Sequence, residues 1–160
     1  MKVAFVAAGI MAAALSGAAQ AQDVVPARVV STGPGFECLS ISARKGWQRH
    51  ETGLTGQLEA LRLGRAEGWT VDANTYGRVG PDGHGPADEA RLAPYATYKE
   101  RPSLPFGRLL YRLDGGTVGH FPSGWTFNRK QIRRVMDFRI NDTALQDNAG
   151  AVEVCFFEKR

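Results

Sequence analysis

Ile140-Asn141-Asp142-Thr143-Ala144-Leu145-Gln146-Asp147-Asn148-Ala149-Gly150-Ala151 is the stretch on which the reading of this chain turns. Residues 135–140 before and within it read as a strand, and residues 152–157 after it read as another. Between the two lies a polar loop with three side chains that present oxygen: Asp142, Asp147 and Asn148. A hard cation such as Ca²⁺ takes about six to eight oxygen ligands from carboxylates, amide oxygens and backbone carbonyls. A short loop between two strands can converge such oxygens on one point. Asn, Asp and Gly are equally the residues of an ordinary hairpin turn, because they tolerate left-handed backbone and bond their own amides. The residues themselves therefore leave a calcium loop and a solvated turn both open. The ligand spacing and central Gly of an EF-hand are absent.

Working outward, short β segments separated by Gly and Pro recur along the chain. They fall at 36–43, 57–62, 68–71, 108–113, 118–121, 125–127, 135–140 and 152–157. The segment at 57–62 is ambiguous, since Leu54, Leu58, Leu61 and Leu63 also fit a helical stripe. Many short strands with frequent turn residues predict an all-β sandwich or barrel. The 19 Gly and 8 Pro suit tight turns more than long helices. The interval 77–105 reads as a long, largely irregular excursion, and loops that long in a compact domain are usually functional or disordered.

The N-terminus speaks to the compartment. Lys2, an apolar Ala-rich run over 3–15 and the small-x-small Ala19-Gln20-Ala21 form the pattern of a secretory signal peptide over residues 1–21. The expectation is a single exported domain over 22–160, periplasmic or secreted, with no membrane span. The formal net charge of the whole chain is +4. Its basic residues are scattered apart from Arg129, Lys130, Arg133 and Arg134, so no nucleic-acid partner is expected. The two cysteines, Cys38 and Cys155, fall in the first and last apolar strands of that pattern. Terminal strands of a sandwich are often neighbours, so a Cys38–Cys155 disulfide is expected in an oxidising compartment. Chain entropy rates so long a closed loop at about 4–5 kcal/mol.

Enzyme signatures are missing, and no catalytic residue is expected. His50, His84 and His120 are far apart and read as exposed loop residues. There is no HExxH, G-x-S-x-G elbow, P-loop or Rossmann glycine pattern. The acidic residues, 16 in number, show no spacing that selects a glycosidase pair. Trp47, Trp69 and Trp125 could be sugar-stacking platforms but are read as core, Trp69 above all. Asn141-Asp142-Thr143 also matches a glycosylation acceptor pattern.

Several stretches in order resemble the PA-I-type galactophilic lectins. They are Gly68-Trp69, Gly80-Pro81-Asp82-Gly83, Leu104-Pro105-Phe106-Gly107-Arg108-Leu109-Leu110, Asp137-Phe138-Arg139-Ile140-Asn141-Asp142, and Asp147-Asn148-Ala149-Gly150-Ala151-Val152-Glu153-Val154. The resemblance implies a galactose-binding-like β-sandwich of jelly-roll type with one Ca²⁺ held by loops at one end. Asp142, Asp147 and Asn148 would offer side-chain oxygens, and Ala144 and Asp72 backbone carbonyls. A carbohydrate, in that family a galactose-containing glycan, completes the ion's shell, with Asp72, Asp142, Thr143 and Asp147 placed to contact it. This chain departs from the family in a shorter loop from Asp142 to Asn148 and in two residue changes. Asp72 stands where the lectins have an aromatic, and Ala93-Pro94-Tyr95 lacks their sugar-contacting His. The calcium expectation thus carries over better than galactose specificity, and a module that binds a protein partner is the competing expectation.

Overall fold

A computed structural model describes residues 24–55, 57–121, 125–127 and 135–158, with backbone alone at 60–66 and 125–127. Residues 1–21 and the basic cluster at Arg129, Lys130, Arg133 and Arg134 lie outside the described residues, as does the side chain of Trp125.

The chain is all-β, in a sandwich-like arrangement with one short helix. In chain order the strands are β1 (Val25–Pro26), β2 (Arg28–Gly33), β3 (Phe36–Ser42), β4 (Gln48–His50) and β5 (Leu58–Thr70). After the helical insert come β6 (Leu109–Leu113), β7 (Gly119–His120), β8 (Trp125–Phe127), β9 (Met136–Ile140) and β10 (Ala149–Glu158). One five-stranded sheet runs β1-β4-β9-β6-β7 and the other β2-β3-β10-β5-β8. Both sheets contribute to one hydrophobic core. Leu39, Ile41, Val152, Val154 and Phe156 come from β3 and β10; Leu109, Met136, Phe138 and Ile140 come from β6 and β9. Trp69 is fully buried and its indole N–H donates to the Gly107 carbonyl at 2.7 Å, which satisfies its one polar atom. Trp47 is buried as well.

A single strand, β5 (Leu58–Thr70), stands where the sequence suggested two, and its helical stripe is overridden by pairing. β5 and β3 flank β10 on either side along most of its length. Gly68 and Gly150 make the close approach beside Trp69 possible. Both have positive φ, and a Cβ on Gly150 would collide with the Gly68 carbonyl. β3 and β10 pair with Cys38 directly opposite Cys155, and the two form a disulfide, as their strands required. Among the described residues no helix is long and apolar enough to cross a membrane.

Two expectations are corrected. The interval 77–105 is not irregular throughout: it carries α1 (Pro86–Leu92) and a 3₁₀ helix (Ala93–Tyr98). The local signals were present. Pro86 opens the helix, Asp88 and Glu89 occupy its first turn and Arg91 its last, each favourable to the helix dipole. Nor are the histidines all exposed. His50 lies on β4, stacks on Phe156 and places Nε2 2.9 Å from the Glu37 carboxylate. Burial raises the Glu37 pKa, but hydrogen bonds from His50 and Thr52 more than reverse this and leave it lowered. His84 is buried with Nδ1 3.2 Å from Asp88. Only His120 is exposed. A strand or turn histidine is buried when a carboxylate meets it, and neither Glu37 nor Asp88 could be matched to its partner from spacing alone.

Candidate functional site

The end of β9 and the loop after it are tied down from three directions. Asn141 is fully buried, and its amide nitrogen donates to the carbonyls of Arg101, Leu104 and Pro105 at 2.9–3.1 Å. Its amide oxygen accepts from the Arg101 N–H at 2.8 Å. Those bonds staple the helical insert to the sheet, and they make Asn141 a positioning residue and not an accessible glycan acceptor. Thr143 does the same one turn further on: its N–H and hydroxyl both donate to the Tyr98 carbonyl, at 2.8 and 2.9 Å. The Asp147 carbonyl accepts from the Ala73 N–H at 2.9 Å, which joins the polar loop to the turn after β5.

The result is a cavity of about 330 Å³ with walls from three segments. Val71, Asp72, Thr75 and Tyr76 come from the turn after β5, and Leu92, Tyr95 and Tyr98 from the two helices. Asp142, Ala144, Gln146 and Asp147 come from the polar loop, with Phe106 alongside. Four residues expected from sequence, Asp72, Asp142, Ala144 and Asp147, therefore meet on one cavity. Thr143 and Asn148 are not among its walls. The three tyrosines are contributions that strand-based reading missed; their signal was the i, i+3 spacing of Tyr95 and Tyr98 next to a helix start. His84 packs edge-on against Tyr76 from behind, with ring centroids 5.6 Å apart.

The acids differ in state. Asp142 is 2 % exposed, and burial pushes its pKa up from 3.8 to about 6. The Ala144 N–H and the Asn148 side chain pull it down, Asp147 pushes it up, and the Arg139 charge pulls it down. Asp72 is held below the usual carboxylate range by the Thr75 side chain and the Asn74 N–H, which it caps within its own turn. Its carbonyl also accepts from the Tyr76 N–H at 3.0 Å. Asn148 is fully buried; its amide nitrogen donates to the Ala43 carbonyl at 3.1 Å, and its Oδ1 has no partner.

Three carboxylates line this cavity, ligands of the kind a hard cation takes, and the orphaned Asn148 Oδ1 is an oxygen not yet used. The three aspartate carboxylates do not close into a tight cluster. Among the described residues, one group of three such ligand atoms lies within 4.8 Å: Cys38, Glu153 and Cys155. Both of those sulfurs are spent on the disulfide, so no thiolate remains to ligate. No protein-family model, curated protein or solved structure matches this chain.

Proposed function

We propose that the protein is an exported, non-catalytic carbohydrate-binding protein whose ligand occupies the cavity between the polar loop and the helical insert. One observation carries the reading: Asp72, Asp142 and Asp147 share a 330 Å³ cavity with Tyr76, Tyr95 and Tyr98. Saccharides need this mixture, because each ring has apolar C–H faces for aromatic contact and hydroxyls that donate to carboxylates. The Cys38–Cys155 disulfide agrees with an oxidising compartment, and the order of motifs with a galactose-binding-like jelly roll.

Calcium belongs to this reading as a proposed partner. Asp142, Asp147, the Asn148 amide oxygen and the Ala144 carbonyl would hold it. Bound there, Ca²⁺ supplies open coordination positions that sugar hydroxyls can fill in place of water. The chain's own contribution is to bury Asp142 and to keep Asn148 beside it, so that negative charge and a spare oxygen are ready in a partly dry site. Asp72 has its turn to hold and serves the sugar more directly than the ion.

Glycan-array binding and calorimetry with and without EDTA test the proposal. Binding of at least one glycan is expected in millimolar calcium, with loss in Asp142→Asn and Asp147→Ala. Absence of any glycan binding at millimolar calcium sinks it. In that event the second reading takes over, a module for a protein partner. It is favoured by the edge strand β2, where Val29 and Val30 are 49 % and 41 % exposed beside the strand's free side.

A further inference from the structure

Two of the cavity's tyrosines are placed in a way that one sugar ring does not explain. Tyr95 and Tyr98 are three residues apart on the 3₁₀ helix Ala93–Tyr98. In that helix side chains at i and i+3 eclipse, and about 2 Å of rise per residue separates them by roughly 6 Å, comparable to one pyranose unit. Both line the cavity, yet they are 53 % and 47 % exposed. Among the described residues the other large exposed apolar side chains are Val24, Val29 and Val30, from the β1–β2 segment. The tyrosines are therefore not part of a general scatter of surface apolar groups.

The element that carries them is held firmly. Leu92 anchors its start in the core, and Thr143 bonds the Tyr98 carbonyl twice at its end. Lys99 just beyond it pairs with Glu89 of α1. A pinned backbone presenting two half-exposed rings one 3₁₀ turn apart is a preorganised stacking surface, which lowers the entropic cost of binding.

We infer that the site binds an oligosaccharide along this surface, with adjacent pyranose units stacked on Tyr95 and Tyr98 and a terminal unit in the acid-lined cavity. The inference rests on the carbohydrate-binding reading and specifies its ligand: a chain of at least three sugar units, in preference to a lone terminal sugar.

Calorimetry on the oxidised protein in millimolar calcium tests it with three series of probes. These are galactose, galactobiose and galactotetraose; glucose, cellobiose and cellotetraose; and N-acetylglucosamine with its β-1,4-linked dimer and tetramer. In the series that binds, the tetramer is expected to bind about tenfold or more tighter than the monomer. Tyr95→Ala and Tyr98→Ala each weaken tetramer binding by a larger factor than monomer binding and so shrink that gain, whereas Tyr95→Phe and Tyr98→Phe retain it. Melting temperatures of all four variants verify the fold. Equal affinity for monomer and tetramer, or equal losses for both in the Ala variants, overturns the inference while leaving carbohydrate binding intact. No heat with any of the three series, together with a blank glycan array, overturns the carbohydrate reading and the inference with it.

Discussion

Asp137 and Asp142 stand five residues apart, one inside β9 and one just past its end, and both are buried. Asp137 is closed on both sides. The Arg49 Nε donates to Oδ1 at 2.8 Å, and the Arg112 Nε donates to Oδ2 at 2.9 Å. Burial raises its pKa, but the hydrogen bonds and charges of the two guanidiniums more than reverse this and hold it below the usual range. Asp142 has hydrogen bonds from the neutral Ala144 and Asn148 and a repelling Asp147 nearby, and burial leaves it at about 6. The same side chain in nearly the same depth is a tie in one place and an unsatisfied charge in the other. What separates them is how the chain's own cations meet them: two guanidiniums bond the Asp137 carboxylate, whereas Arg139 donates to the Asp142 backbone carbonyl and acts on its carboxylate through charge alone. Where guanidiniums bond the carboxylate, the acid is spent on the fold.

Breaking the first half of that comparison has the largest expected effect. Asp137→Ala leaves two guanidiniums without their carboxylate, and chemical denaturation should show a loss of about 2–3 kcal/mol. An unchanged midpoint would show that solvent replaces the carboxylate at no cost.

The second half is sharpened by pH in the presence of EDTA. Asp142 has a folded pKa of about 6 against an ordinary value of 3.8. Folding therefore takes up a proton between those values. Its favourable contribution is fully present below about 3.8 and is lost as pH rises through about 6. Asp137 behaves in the opposite sense: its contribution is present above its ordinary value of 3.8 and is lost as pH falls through its lowered folded value. Asp142→Asn should accordingly flatten the stability profile between pH 4 and 6, raising stability at pH 7 by on the order of 2 kcal/mol. Asp137→Asn should alter the profile below pH 4. Identical profiles for the two variants would erase the distinction drawn between the two acids.

The smallest effect belongs to Arg49. Its side chain is 46 % exposed and Arg112 stays in place, so Arg49→Ala should shift the denaturation midpoint far less than Asp137→Ala does. A loss as large as that of Asp137→Ala would mean that Arg112 alone does not compensate the buried carboxylate.

Much of the framework was legible in the residues. The turn-punctuated strands and the burial of Trp69 follow from local pattern; the Cys38–Cys155 pairing was expected between terminal strands and forms, although β1 and β2 precede the strand of Cys38. The polar loop from Asp142 to Asn148 also follows from local pattern, because strand periodicity and turn chemistry are properties of neighbouring residues. Asp72 could be linked to that loop through the family resemblance alone. The helical insert was legible in Pro86, Asp88 and Glu89 but was masked by the glycines and prolines around it.

An all-β chain with an oxygen-rich loop between its last two strands is written in local composition. What that loop faces is set by packing over long separations. Asn141 reaches back 40 residues to Arg101, Thr143 reaches 45 to Tyr98, and the Arg44 Nε reaches 104 to the Asn148 carbonyl. These contacts bring Tyr95 and Tyr98 to the same cavity as the aspartates and bury Asp142 with no guanidinium bonded to its carboxylate. Burial and pairing over such separations depend on how sheets and insert pack together, and no local pattern encodes that.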